Sequence, residues 1–284
     1  MEKERKIRMS GVDRLVEGIG ETVKQIPEFY NDGLKSSTQE TGKTLALIPR
    51  TINAALAPLR KWIAEREYSV SETERLLAIK LEGINAESIV SPEAYVAVPV
   101  LQAISYCKNS EELRNMYANL LATSMVENEK ENAHPSFVEI IKQLSPDEAK
   151  LLKRIDEEGE PFPLIDVRLY TDKLSYVTKI HNFTLLAEGV CDYPNRVFEY
   201  IDNLVRLMII EIPAGVHIKN DDIYKPLESY EEIKTLITSP VPEGYRWEIK
   251  RSKFDVTQYG RQFLNVCVKG VDYAEYSGSA TLAN

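Results

Sequence analysis

Apolar residues recur at helical spacing through the first half of this chain, and the texture changes beyond residue 160. Val12, Leu15, Val16, Ile19, Val23 and Ile26 mark an amphipathic helix that Pro27 ends or kinks. Residues 41–64, TGKTLALIPRTINAALAPLRKWIA, form the most apolar stretch of the N-terminal half, segmented by Pro49 and Pro58. Ser71-Glu72-Thr73-Glu74 has the form of a capping box and predicts a helix through about Glu82, closed by Gly83. A helix from about Glu93 to Cys107 follows, with Pro99 an awkward interior residue. Ser110 is the expected cap of the next, whose apolar face is Leu113, Met116, Tyr117, Leu120 and Leu121. His134-Pro135 starts another, carrying Phe137, Ile140, Ile141 and Leu144. The best-signed helix start is Ser145-Pro146-Asp147-Glu148, with Ser as cap, Pro at the first helical position and Glu closing the box.

Past residue 160 strand patterns appear. PLIDVRLY (163–170) reads as a short strand, and Pro194 to about Leu207 as a helix with Val197, Ile201, Leu204 and Val205 inward. That helix runs into the β-type run LMIIEI (207–212). YRWEIKRSKF (245–254) alternates like a strand, and Thr257-Gln258-Tyr259-Gly260 opens a last helix bearing Phe263, Leu264 and Cys267. Helix, strand, wing strand and closing helix in this order resemble a winged-helix module. The expected fold is therefore mainly α, a helical N-terminal region followed by a winged-helix-like α+β C-terminal domain. The division reads as an amphipathic segment at 1–40, a helical domain at 41–143, the winged-helix-like domain at 144–270 and a disordered tail at 271–284.

Charge narrows the partners. The chain of 284 residues has a net charge of −9. Residues 1–145 hold 18 Lys/Arg against 21 Asp/Glu, and residues 146–270 hold 17 against 21, so neither half is basic. Phosphate neutralisation dominates nucleic-acid affinity, so bulk electrostatics argue against DNA as the obvious partner. Cys107, Cys191 and Cys267 are odd in number and form no CxxC pair, which fits free thiols in a reducing cytosol. The charged start MEKERKIRMS lacks the apolar region of a secretory signal, and no run of 18 apolar residues exists. A cytoplasmic location is expected.

Candidate chemistry is thin. Gly42-Lys43-Thr44 invites a P-loop reading, but Ser37 stands where the first glycine belongs, and SSTQE is no buried strand. His134, His181 and His217 are scattered, with no HExxH and no cysteine at ligand spacing. There is no GxSxG elbow, and the carboxylates of Glu157–Glu160 and Asp221-Asp222 fall in turns. No catalytic residue, cofactor or metal site is assigned, and a non-enzymatic protein is expected. The apolar segment 45–63 packs into the core or lies on a membrane, with Arg50, Arg60, Lys61, Trp62 and Arg66 as its contact residues. Arg196, Lys250, Arg251 and Lys253 are the residues a winged helix would turn to DNA or a protein, although Glu199 and Asp202 share the recognition helix and oppose phosphate.

Five segments carry a resemblance: ETGKTLALIPRTINAALAPL (40–59), ELRNMYANLLATSM (112–125), HPSFVEIIKQLSPDEAKLL (134–152), VRLMIIEIP (205–213) and VTQYGRQFLNVCV (256–268). Together they span about residues 35–270, and the chain resembles the abortive infection alpha (Abi-alpha) family. The resemblance implies a bacterial cytoplasmic protein from an anti-phage setting and transfers no catalytic residue. Arg114, Asn115, Asn119 and His134, polar members of these segments, are the expected exposed interaction surface. The reading that follows is an anti-phage protein acting by interaction with a phage or host protein. A winged-helix DNA-binding regulator and a membrane-active effector using segment 40–66 are the alternatives, and homo-oligomerisation is open.

Overall fold

The structure, a computed structural model, describes residues 51–57, 70–104, 106–107 and 109–271. The expected helix before Pro27 and the contact residues Arg50, Arg60, Lys61, Trp62 and Arg66 lie outside these, as does the tail after residue 271. The fold is α+β. The chain divides into two compact units, one up to Ile141 together with Lys269 onward, the other Lys142–Val268.

The first unit is helical. It contains a helical stretch at 51–57, then α1 (Val70–Lys80), α2 (Ala94–Ile104), α3 (Glu111–Ser124) and α4 (Ser136–Ile141). α3 is its centre and packs against α1, α2 and α4. Ser110 caps α3 by accepting the Leu113 N–H at 3.3 Å, which satisfies one of the donors a helix start leaves free. Residues Met116 through Ser124 are all buried, so α3 is enclosed around most of its circumference. α1 already contains Val70 and Ser71, so Ser71 is not the cap its S-x-x-E pattern predicts. α2 continues through Pro99; the carbonyl that loses its helical donor is that of Tyr95, an exposed residue where water can serve. In the stretch 51–57, Ile52, Ala55 and Leu56 are buried, and Ser91 Oγ donates to the Ala55 carbonyl at 3.2 Å. This part of the apolar segment is core. Among the described residues no helix is long and apolar enough to cross a membrane.

The second unit runs α5 (Pro146–Glu158), β1 (Phe162–Tyr170), β2 (Tyr176–Phe183), α6 (Val197–Arg206), β3 (Ile210–Glu211), α7 (Lys225–Glu228), α8 (Glu231–Ile237), β4 (Arg246–Val256) and α9 (Gln258–Phe263), with a π-helical turn at Leu264–Lys269. Ser145 builds the expected capping box of α5: its Oγ accepts the Glu148 N–H at 3.2 Å, and Glu148 accepts the Ser145 N–H at 2.6 Å. The sheet is antiparallel, in the order β2-β1-β4-β3. β1 pairs with β4 along its whole length, from Phe162 opposite Phe254 to Tyr170 opposite Arg246.

Alternation along paired strands sorts their side chains onto two faces. Ile165 and Val167 of β1, with Trp247 and Ile249 of β4, face a core closed by Tyr224, Leu227 and Ile233. On the other face Phe162 stacks on Phe254 at 4.6 Å and Leu164 is buried. Towards the β1–β2 turn the same face opens to Arg168, Tyr170, Tyr176 and Arg246. Three features depart from expectation. β2 and the helical stretch 221–237 were not anticipated, and the run LMIIEI yields a strand of only two residues. The last has a local cause: Met208, at φ 59, reverses the chain after α6, with its N–H on the Val205 carbonyl and the Ile209 N–H on that of Leu204.

Candidate functional site

The most heavily bonded polar group in the second unit is Asp147, in the first turn of α5 and 5% exposed. Its carboxylate accepts the backbone N–H groups of Asp192 and Tyr193 and the hydroxyl of Tyr200, each at 2.9 Å. Lys150 approaches at 3.4 Å and also pairs with Asp192 at 2.9 Å. Burial alone would raise the Asp147 carboxyl, but these donors outweigh it and hold it below the usual range. Burial and the bond to Asp147 push the Tyr200 hydroxyl up. The Cys191 thiol, which donates to the Asp147 carbonyl, is pushed up to about 11 by burial and by the Asp147 charge. Both carboxylate oxygens of Asp147 are engaged and the neighbouring thiol is protonated at neutral pH, so the cluster is built to hold the 191–193 loop against α5 rather than to move protons. Among the described residues no group of three His, Cys, Asp or Glu side chains is arranged to hold a metal ion.

Two features beyond this latch face outward. The first is the open end of the β1–β2 hairpin. Its turn is fixed by Asp172, which accepts the N–H groups of Leu174 at 2.8 Å and Ser175 at 2.7 Å. Tyr170 and Tyr176 lie opposite one another with ring centroids 5.1 Å apart. Arg246 sits 4.3 Å over the Tyr170 ring and Arg168 4.5 Å over that of Tyr176, giving a continuous arginine–tyrosine row. The second is a groove of about 220 Å³ at the other end of β2, lined by Ile180, His181, Phe183, Phe198 and Tyr230, with Lys179, Glu188 and Glu232 at its polar positions. His181 pairs with Asp202 of α6 at 3.0 Å and meets Phe198 edge-on at 5.5 Å. Tyr230 donates to Glu188 at 2.9 Å and tilts against Phe183 at 5.3 Å.

The residues singled out from sequence are dispersed over several surfaces. Arg114 and Asn115 are half-buried on α3. Asn119 is only 2% exposed and so is not part of an exposed surface: it lies in the enclosed middle of α3, where a polar side chain does not mark the solvent side. His134 is exposed, and its Nδ1 accepts the Ser136 N–H at 3.2 Å and contacts the Ser136 hydroxyl at 2.6 Å, a local bond at the start of α4. Arg196 is tied to Glu199. Lys250 is exposed on the open face of β4. Arg251, on the opposite face, bonds Glu228 and Asp221, each at 2.6 Å, and lies 5.2 Å over Tyr224. Lys253 pairs with Asp255 at 2.6 Å. Three of these four cations are therefore matched by acids of the same unit. The hairpin and the groove were missed, although Asp172-Lys173 before the β-formers Tyr176-Val177-Thr178 is a turn-and-strand signal.

No curated protein and no solved structure matches this chain. A family model described as abortive infection alpha matches residues 65–267, which takes in everything from α1 through the whole sheet, including the Asp147 latch. The match covers most of the sequence, and the chain belongs to the abortive infection alpha family.

Proposed function

We propose that this protein serves abortive-infection defence against phage and acts by binding another macromolecule, from the cytoplasm, rather than by catalysis. Family membership carries the defence half of this reading. The interaction half is supported by the character of the polar groups: the Asp147 cluster is engaged internally, whereas Tyr176 and Arg246 of the hairpin's arginine–tyrosine row are exposed, Arg168 of the same row pairing with Asp166 at 2.7 Å. Tyrosine and arginine are the residue types that dominate binding energy in protein interfaces. The test is expression of the chain in bacteria challenged with phage at low and high infection ratio. Reduced plaquing with early culture collapse at high ratio is the expected result. Unchanged plaquing, with the protein present and folded, would overturn the reading for the chain acting alone.

A second reading, a winged-helix module that binds DNA, draws on the succession of α6, β3, β4 and α9 and on Lys250 at the open face. Against it, α6 carries Glu199 and Asp202, and its Arg196 is already paired. Salt-sensitive duplex binding at low ionic strength is what this reading requires, and its absence would remove it.

A further inference from the structure

We infer that the free edge of β2 is a self-pairing surface, through which two copies of this chain join by their hairpins, each placing Leu174 in the other's groove. The edge comes first. β2 is the outermost strand, and no described strand pairs with its other side. Exposed edges are usually guarded by charge, proline or a bulge. Here Ser175-Tyr176-Val177-Thr178 contains no charge and no proline, and Lys179 and the two irregularities of the β1 pairing, one between Thr178 and Ile180 and one between Ile180 and Phe183, come after it. Tyr, Val and Thr are strong strand formers, and all three are exposed.

The second observation is a knob and a hole on the same hairpin. Leu174, at the turn, is 89% exposed, and Val177 is 49% exposed. The groove at the far end of β2 holds about 220 Å³ and is lined by Ile180, Phe183, Phe198 and Tyr230. Small-molecule pockets run to roughly 300–1,000 Å³, so this groove fits an aliphatic side chain better than a drug-sized ligand. A two-fold interface is self-complementary, residue i meeting j while j meets i. Antiparallel pairing of β2 with itself about Val177 sets Leu174 opposite Ile180 of the second copy, a residue of the groove lining. This register brings the leucine to the groove and joins both grooves to both tips at once.

Charge favours the same arrangement. Lys173 at the tip forms no ion pair with a described residue, whereas Glu188 and Glu232 line the groove and Asp202 flanks it through His181. Pairing about Val177 sets Lys173 opposite His181 and Lys179 opposite Ser175, whereas pairing about Tyr176 or Lys179 would set two lysines opposite one another, which excludes both. The inference does not depend on the defence reading, since it concerns association of the purified chain.

Sedimentation velocity on the full chain across a concentration series tests it, with Leu174→Lys and Val177→Cys as the variants. Both positions are exposed, so circular dichroism should show an unchanged fold. The expected result is a monomer–dimer equilibrium whose dissociation constant rises about tenfold or more in Leu174→Lys, from loss of one apolar side chain per groove. Val177→Cys should form a disulfide-linked dimer on oxidation, above the background of the parent's own cysteines, and adding Leu174→Lys should suppress it. A chain that stays monomeric at every concentration would overturn the inference. So would a dimer that Leu174→Lys leaves intact and Val177→Cys does not cross-link, because its interface would lie elsewhere.

Discussion

Replacing Asp147 by asparagine keeps the shape of the side chain and removes its charge, so it isolates what the carboxylate does. In the parent, one oxygen accepts the Asp192 N–H and the other accepts the Tyr193 N–H and the Tyr200 hydroxyl. Asparagine has one acceptor oxygen. With its oxygen towards Asp192, its NH₂ group faces the Tyr193 N–H; flipped, it faces the Asp192 N–H. The Tyr200 hydroxyl can turn to the Tyr193 carbonyl, 3.1 Å away, but one backbone donor is left unmatched in either orientation. An unmatched buried donor costs about 1–3 kcal/mol. Losing a negative charge in the first turn of α5 costs about 0.3–1 kcal/mol more. The sum is about 1–4 kcal/mol, to be read as the shift in urea unfolding at pH 7. The difference should also depend on pH. The Asp147 carboxyl is held low in the folded state, so its contribution is complete above the unfolded value near 4 and is lost as pH falls through the lower folded value. Parent and variant should therefore converge in acid. A variant within about 0.5 kcal/mol of the parent at pH 7, or a gap that persists unchanged in acid while both remain folded, would refute the reasoning.

Three further outcomes are expected. Gly260→Ala places a Cβ 2.0 Å from the Ile209 carbonyl oxygen, a backbone atom that cannot rotate away, and should destabilise by at least about 2 kcal/mol in urea titration. Met208→Gly should raise stability by up to about 1 kcal/mol, seen as a higher thermal midpoint, because the residue holds a left-handed turn at φ 59 while its side chain is 62% exposed and packs little. Alkylation at pH 8 followed by mass spectrometry should leave Cys191 and Cys267 unmodified in the folded protein and label both in urea, since burial pushes both thiols up, that of Cys191 to about 11.

Local signals were the ones that could be read in advance. The capping box at Ser145 and the cap at Ser110 depend on residues three apart, and both form as the sequence predicts. The same logic failed at Ser71, because S-x-x-E also occurs inside helices and nothing local marks where α1 begins. β2 escaped notice because Tyr176 to Lys179 are exposed on both faces, so no buried face imprints a period of two. Its strand character comes from pairing with β1. Asn119 was assigned to the surface by polarity, but α3 is enclosed on most sides, and its periodicity does not separate inside from outside. The Asp147 latch joins residues 44 to 53 positions apart, a relation a single sequence does not display.

The latch also bears on the outward-facing surfaces. Asp147 holds the backbone of Asp192 and Tyr193, and the chain passes from there into Pro194, Asn195, Val197 and Phe198, which form one wall of the groove. The same carboxylate holds Tyr200, one turn further along α6. The opposite wall is β2, and Asp202 ties it to α6 by accepting from Asn182 at 2.9 Å and pairing with His181 at 3.0 Å. The groove is thus braced at both ends of α6's first half by carboxylates engaged with backbone and side-chain donors. Such bracing is costly to arrange for a surface that only needs to be wet, because ordering each loop opposes chain entropy of about 1–2 kcal/mol per residue. It is what a preformed receptor for a protruding side chain requires, since a rigid groove loses less freedom when filled. The buried polar chemistry of this unit therefore fixes the shape of the groove that α6 and β2 form between them.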